Sequence, residues 1–171
     1  GDLVEHQLLV AERLRHDHAA YRRLYDCAEW RALMPEDGPG GGCCMARVVL
    51  IDYTEPCAPA EAMALIRDAF DFAPGALWSA RTFQQGESLV VLMRLSEPAD
   101  AALRDALNGL RAAVQLVRDS YLADCLVGVS AVRRAEGAVD GKLHDMELET
   151  HAAIHDMPPG ESIAQYREDA T

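Results

Sequence analysis

The chain has 171 residues, half of them hydrophobic, and a net charge of −12 at pH 7. This composition allows a sizeable core and excludes wholesale disorder. The acidic balance lacks the basic face that phosphate contact needs, so we expect no direct nucleic-acid binding by this segment. No apolar run reaches the roughly 18 residues of a membrane span, and no signal-peptide pattern opens the chain. Five cysteines without paired spacing fit a cytoplasmic protein.

Residues 1–34 are predicted to form one long helix, because the segment from Leu3 to Met34 contains no Gly or Pro. Its apolar residues recur at steps near 3.5, with Gln7 and Asp17 interrupting the stripe. The pattern favours either a dimerising helix of the coiled-coil kind or a helix packed on its own domain. We therefore expect a homodimer formed through this helix. Because the chain starts without Met, we also expect it to be a piece of a longer protein with adjacent domains.

Residues 35–45 are rich in Gly and Pro and are predicted to be a flexible linker. The glycines do not make a phosphate loop, since no Lys-Ser or Lys-Thr follows them and no strand precedes them. The neighbouring Cys43 and Cys44 lack metal or redox spacing and are interpreted as ordinary cysteines.

Residues 46–134 are predicted to form an α+β domain. A buried strand from Arg47 to Tyr53 precedes a helix over 60–70. A hairpin follows, with strands over 77–83 and 89–95, then a long amphipathic helix to about residue 122 and a last strand over 125–132. The order β-α-β-β-α-β predicts a split βαβ, ferredoxin-like arrangement, in which a four-stranded antiparallel sheet carries its helices on one face. Residues 135–171 are predicted to add a helix over 142–156 and a polar connector.

The element order and several residues resemble the GGDEF domains of diguanylate cyclases. In that family the first strand ends in a metal-binding Asp, which matches Asp52, and the hairpin turn carries the motif Gly-Gly-Asp-Glu-Phe. The matching turn here consists of Gln85, Gly86, Glu87, Ser88 and Leu89. The resemblance covers about half the chain and implies a GGDEF-like fold.

The departures from the family motif predict that the domain is not an enzyme. Cyclisation needs a cation held by carboxylates, which neutralises the triphosphate and activates the attacking hydroxyl. The family's essential glutamate falls at Ser88, and its second first-strand carboxylate falls at Thr54. Gln85 replaces the first glycine and would crowd a phosphate brought near the backbone. Asp52 and Glu87 could form a remnant Mg²⁺ site, or they could be an ordinary strand-end Asp and turn Glu, both solvated.

A second set of candidate ligands lies on the predicted C-terminal helix, where spacings of three and four place His144, Glu147, His151 and His155 on one face. His residues at i and i+4 with a nearby carboxylate suit Zn²⁺. The alternative is a solvated polar face.

Degenerate domains of the GGDEF kind occur in bacterial transcription regulators and sensors. The resemblance therefore implies a catalytically silent regulatory domain that needs no cofactor and relays a signal to its neighbours. A small-molecule or metal-sensing module of the same fold is the alternative, and an atypical nucleotidyl cyclase is a third reading, disfavoured by Ser88.

Overall fold

A computed structural model describes residues 42–53, 58–133 and 139–167. The predicted N-terminal helix, and with it the predicted dimer contact, lies outside these residues. Within the described part of the chain, no helix is both long and apolar enough to cross a membrane.

Five strands and three helices follow one another along the described part of the chain, with the second and third strands consecutive. The strands are β1 (Gly42–Tyr53), β2 (Trp78–Gln85), β3 (Ser88–Leu95), β4 (Ala123–Val129) and β5 (Ile163–Gln165). The helices are α1 (Pro59–Ile66), continued by a 3₁₀ turn over Arg67–Phe70, then α2 (Ala99–Tyr121) and α3 (Val139–His155).

The five strands form one mixed sheet in the order β2-β3-β1-β4-β5. The first four strands in this order pair antiparallel, and β5 adds to β4 in parallel. The α+β class is confirmed, but the prediction of a four-stranded, purely antiparallel sheet is wrong. The fifth strand comes from the segment predicted as a connector. Its three residues are too few to show the alternation by which a strand is recognised in sequence.

The core fills the space between one face of the sheet and helices α1 and α2. Alternate residues of β1, β3 and β4 contribute Val48, Val91 and Val127, while α1 adds Met63 and α2 adds Leu110. Strands β1 and β3 bury residues on both of their faces, most of them apolar, as is typical of a sheet covered on both sides.

Helix α3 covers the opposite face of the sheet, next to β1 and β4. Gly128 in β4 permits this approach, because a Cβ at this position would lie 2.3 Å from the carbonyl oxygen of Thr150 in α3. Helices therefore lie on both faces, with α1 and α2 on one side and α3 on the other.

Strand β1 begins at Gly42, so the predicted linker is wrong over residues 42–45. These residues pair with β3, where Cys44 lies opposite Met93. Gly42 is a site of close packing, since a Cβ there would lie 2.8 Å from Cγ1 of Val132. A run of glycines is typical of a flexible segment, but Gly42 instead allows the residues that follow β4 to pack closely against β1.

Candidate functional site at the hairpin turn

The turn whose sequence resembles the GGDEF motif is a two-residue connection between β2 and β3. Gly86 has a φ of +57°, which a glycine adopts without strain, and Glu87 next to it is solvent-exposed. A positive φ at the first central residue alone fits a type II′ hairpin turn. The hairpin prediction is confirmed, and both strands extend close to their predicted ends.

Ser88, which the resemblance aligns with the essential glutamate of GGDEF domains, is buried and hydrogen-bonded. Its side chain is engaged on two sides: the Oγ accepts a hydrogen bond from Nη1 of Arg47 at 2.6 Å, and the hydroxyl donates one to the carbonyl oxygen of Gln85 at 3.2 Å. Ser88 is only 8% exposed to solvent. A short hydroxyl side chain held in this way presents no negative charge to the solvent at the turn.

Arg47 connects the turn to α3 across the second face of the sheet. Its Nη2 donates to Oε1 of Gln85 at 3.2 Å and to Oε1 of Glu147 at 2.5 Å. The side chains of Arg47 and Glu147 are each only 3% exposed. A guanidinium taken out of water needs a carboxylate and further acceptors around it, and Ser88, Gln85 and Glu147 supply them. We call these four residues the Arg47 network.

Asp52 and Glu87, the predicted remnant cation site, are both solvent-exposed. Asp52 follows an irregularity in the pairing of β1 with β4 and lies opposite Asp124. Asp124 is itself paired with Arg118 at 2.8 Å. In the described part of the chain, no group of three or more His, Cys, Asp or Glu side chains is arranged to hold a metal ion. The remnant Mg²⁺ site stays a prediction.

The four candidate ligands of α3 have different surroundings. His144 and His155 are exposed and His151 is half-buried, whereas Glu147 is buried against Arg47. Glu147 is therefore ion-paired with Arg47, a contact that the predicted zinc site does not include. Binding of Zn²⁺ by this helix stays a prediction.

Three cysteines of the described residues are buried, namely Cys43, Cys44 and Cys125. Burial raises the pKa of the Cys125 thiol to about 12, and the negative charge of Asp124 adds to the shift. Burial also raises the pKa of Cys44. Because the thiolate is the reactive form, Cys44 and Cys125 have the properties of core residues rather than of nucleophiles.

The Arg47 network was not foreseen from the sequence. Its one signal is a charged residue inside the apolar run from Cys43 to Ile51. A buried arginine requires a partner, yet Glu147 lies 100 residues further along the chain and resembles any other acidic residue of an amphipathic helix. Nothing in local spacing could have paired the two.

A second feature is an open groove of about 820 Å³ beside strand β5. It is lined on one side by Leu107 and Arg111 of α2 and on the other by Leu148 and Ala152 of α3. Residues 163–167 line it as well. The groove is therefore built around the outer edge of the sheet and is separate from the hairpin turn.

Comparison with known proteins gives no match. No protein-family model fits the chain, and no curated protein and no solved structure matches it.

Proposed function

We propose that this chain is a catalytically silent, GGDEF-like regulatory domain that relays a signal within a larger bacterial sensor or transcription regulator. The observation that carries the proposal is the Arg47 network, in which the turn contributes the neutral hydroxyl of Ser88 and the one carboxylate, that of Glu147, is bound to Arg47. The four antiparallel strands with α1 and α2 on one face are the part of the fold that agrees with the resemblance.

Electrostatics supports the absence of catalysis. A cyclase site must attract Mg²⁺, which opposes the charge of the triphosphate. The guanidinium of Arg47 donates to the Ser88 hydroxyl at 2.6 Å and its charge is balanced by Glu147 at 2.5 Å, so the network offers an approaching cation no net negative charge. Asp52 and Glu87 are exposed, where their attraction for a cation is screened by water.

The same network supports a role in relaying structural change. It joins three elements that are distant in sequence: β1 through Arg47, the hairpin turn through Ser88 and Gln85, and α3 through Glu147. If α3 is displaced, the buried contact between Arg47 and Glu147 either breaks or moves Arg47 together with the helix. The turn and the helix thus respond to one another as a unit.

Thermal unfolding with and without GTP and Mg²⁺, together with an assay for GTP turnover, tests this proposal. We expect no rise in Tm and no product, since a ligand that binds the folded state stabilises it by mass action. Asp52→Asn should behave as the unchanged protein does, as should the matched control Asp68→Asn on the exposed side of the 3₁₀ turn. Turnover of GTP, or a nucleotide-dependent Tm rise lost only in Asp52→Asn, would contradict the proposal.

The alternative function is a small-molecule or metal-sensing module of the same fold. The groove beside β5 favours it, because its volume falls within the range of ligand sites. The exposed His144 and His155 are further candidates for metal contact. A Zn²⁺-dependent rise in Tm that disappears in His151→Ala, but persists in His144→Ala/His155→Ala, would point to a site centred on His151. A rise lost in both variants would indicate that the helix face acts as one site.

A further inference from the structure

Strand β5 forms an open edge of the sheet, because within the described residues it is the last strand in the order. Its inner side bonds to β4: the amide of Val127 donates to the carbonyl oxygen of Ser162, and the amide of Tyr166 donates to that of Val129. In a parallel pair this pattern directs the N–H and C=O groups of Ile163 and Gln165 away from β4. Four backbone groups therefore face the groove.

The residues on either side of β5 carry opposite charges. Glu161 precedes the strand and Arg167 follows it, and both are exposed. Neither side chain makes a hydrogen bond or ion pair with the part of the chain that the structure describes. Two charges of opposite sign are thus placed symmetrically about Ala164, three residues before it and three residues after it.

We propose that the β5 edge pairs antiparallel with the β5 edge of a second copy of this chain, about a two-fold axis at Ala164. In this register Ile163 lies opposite Gln165 of the partner, and each pair exchanges two backbone hydrogen bonds. The outward groups of Ile163 and Gln165 are the ones that such pairs need, since hydrogen-bonded pairs alternate with non-hydrogen-bonded ones in an antiparallel ladder. Ala164 would then face its own counterpart in the closer, non-hydrogen-bonded pair, where a small side chain fits.

The charges support a second copy of the chain over an unrelated peptide. With the axis at Ala164, Glu161 lies opposite Arg167 of the partner, and the same pair forms again on the other side. A two-fold contact requires a surface that is complementary to itself, and this charge pattern has that property. The partner would also fill the groove between α2 and α3, which would protect an edge that otherwise invites unspecific strand pairing.

The first test measures the dimer dissociation constant of the full chain by analytical ultracentrifugation, between roughly 1 µM and 1 mM. Gln165→Pro removes an outward N–H and leaves the bonds to β4 in place. Its matched control, Gln165→Ala, removes the side-chain bond to Ser130 but keeps the N–H. We expect Gln165→Pro to weaken the dimer by about tenfold or more relative to Gln165→Ala, with circular dichroism confirming that both fold.

The second test exchanges the charges at exposed positions. Glu161→Arg and Arg167→Glu each convert two attractive contacts into two repulsive ones, so each should weaken the dimer by on the order of tenfold. The double variant Glu161→Arg/Arg167→Glu restores opposite charges across the axis. We expect it to recover most of the lost affinity, and the gain should diminish at high salt.

Three results would overturn the proposal. The first is a protein that stays monomeric over the whole concentration range. If the Tm of such a monomer also falls in Gln165→Pro, another segment of the same chain covers the edge. The second is a dimer that Gln165→Pro leaves as tight as Gln165→Ala does. The third is a double charge variant that is no tighter than the single ones.

Discussion

Arg47 is the residue on which the account depends most, because it combines burial, charge and contact with the turn. Taking an ion pair out of water costs free energy that the pair itself recovers only with good geometry and additional hydrogen bonds. Ser88 and Gln85 provide those bonds, so the buried charge of Arg47, in the middle of β1, has acceptors in addition to Glu147.

Removing one partner of this buried pair should be more harmful than removing both. We expect Glu147→Leu to lower the free energy of unfolding by about 3–5 kcal/mol, because it leaves the buried guanidinium of Arg47 without its carboxylate. The double variant Arg47→Met/Glu147→Leu should recover most of that loss. Urea unfolding measures both values.

The exposed pair Arg118–Asp124 provides the matched control, as its side chains are 40% and 39% exposed. Asp124→Asn should cost less than about 1 kcal/mol. If the double variant at Arg47 and Glu147 were as unstable as Glu147→Leu alone, buried charge would not be the cause of the loss.

Because of Cys125, we expect the free energy of unfolding to decrease at alkaline pH. Burial raises the pKa of the Cys125 thiol from its ordinary value of 9.0 to about 12, because it disfavours the thiolate. The unfolded state therefore releases its proton first, and this contribution to stability is complete below pH 9 and lost as the pH rises toward 12. The slope amounts to about 1.4 kcal/mol per pH unit for one group.

Comparison of the unchanged protein with Cys125→Ala isolates this effect. Urea unfolding at a series of pH values from neutral to about pH 10 should show a shallower decline in the variant, since other titrating groups affect both proteins equally. Parallel curves would mean that Cys125 is not buried as a neutral thiol.

At the scale of elements, the contact between α3 and β4 decides how closely the second face of the sheet is covered. Gly128→Ala would introduce a Cβ 2.3 Å from a backbone carbonyl that cannot rotate away. We expect a loss of about 1–3 kcal/mol, measured as a lower denaturant midpoint, because the helix has to move. Gly75→Ala is the control, since its Cβ would meet its nearest neighbour at an ordinary 3.4 Å. Equal effects of the two substitutions would contradict the close packing of α3.

At the scale of the whole molecule, the sequence predicts the elements that carry a strong period. The amphipathic stripe of α2, the apolar run of β1 and the hairpin with Gly86 at its turn are all present within a few residues of their expected positions. These features are local, so neighbouring residues are sufficient to reveal them.

The features that the sequence did not predict depend on contacts between distant segments. Strand β5 exists because β4 offers it an edge, the start of β1 is set by its pairing with β3, and Arg47 finds its carboxylate 100 residues away. The hairpin turn at the candidate site is predicted in its location, but its contacts are not. Ser88 can be read from the sequence, whereas the guanidinium bonded to it cannot.

The most direct test of a silent site is a titration of ¹⁵N-labelled protein with Mn²⁺ in the presence of GTP, followed by NMR. A bound paramagnetic ion broadens the amide signals closest to it. We expect the amides of Gly86, Glu87, Ser88 and Leu89 to broaden no more than those of other exposed turns, because Ser88 is neutral and the carboxylate of Glu147 is bound to Arg47. Selective loss of these four signals at low Mn²⁺, dependent on GTP, would contradict it.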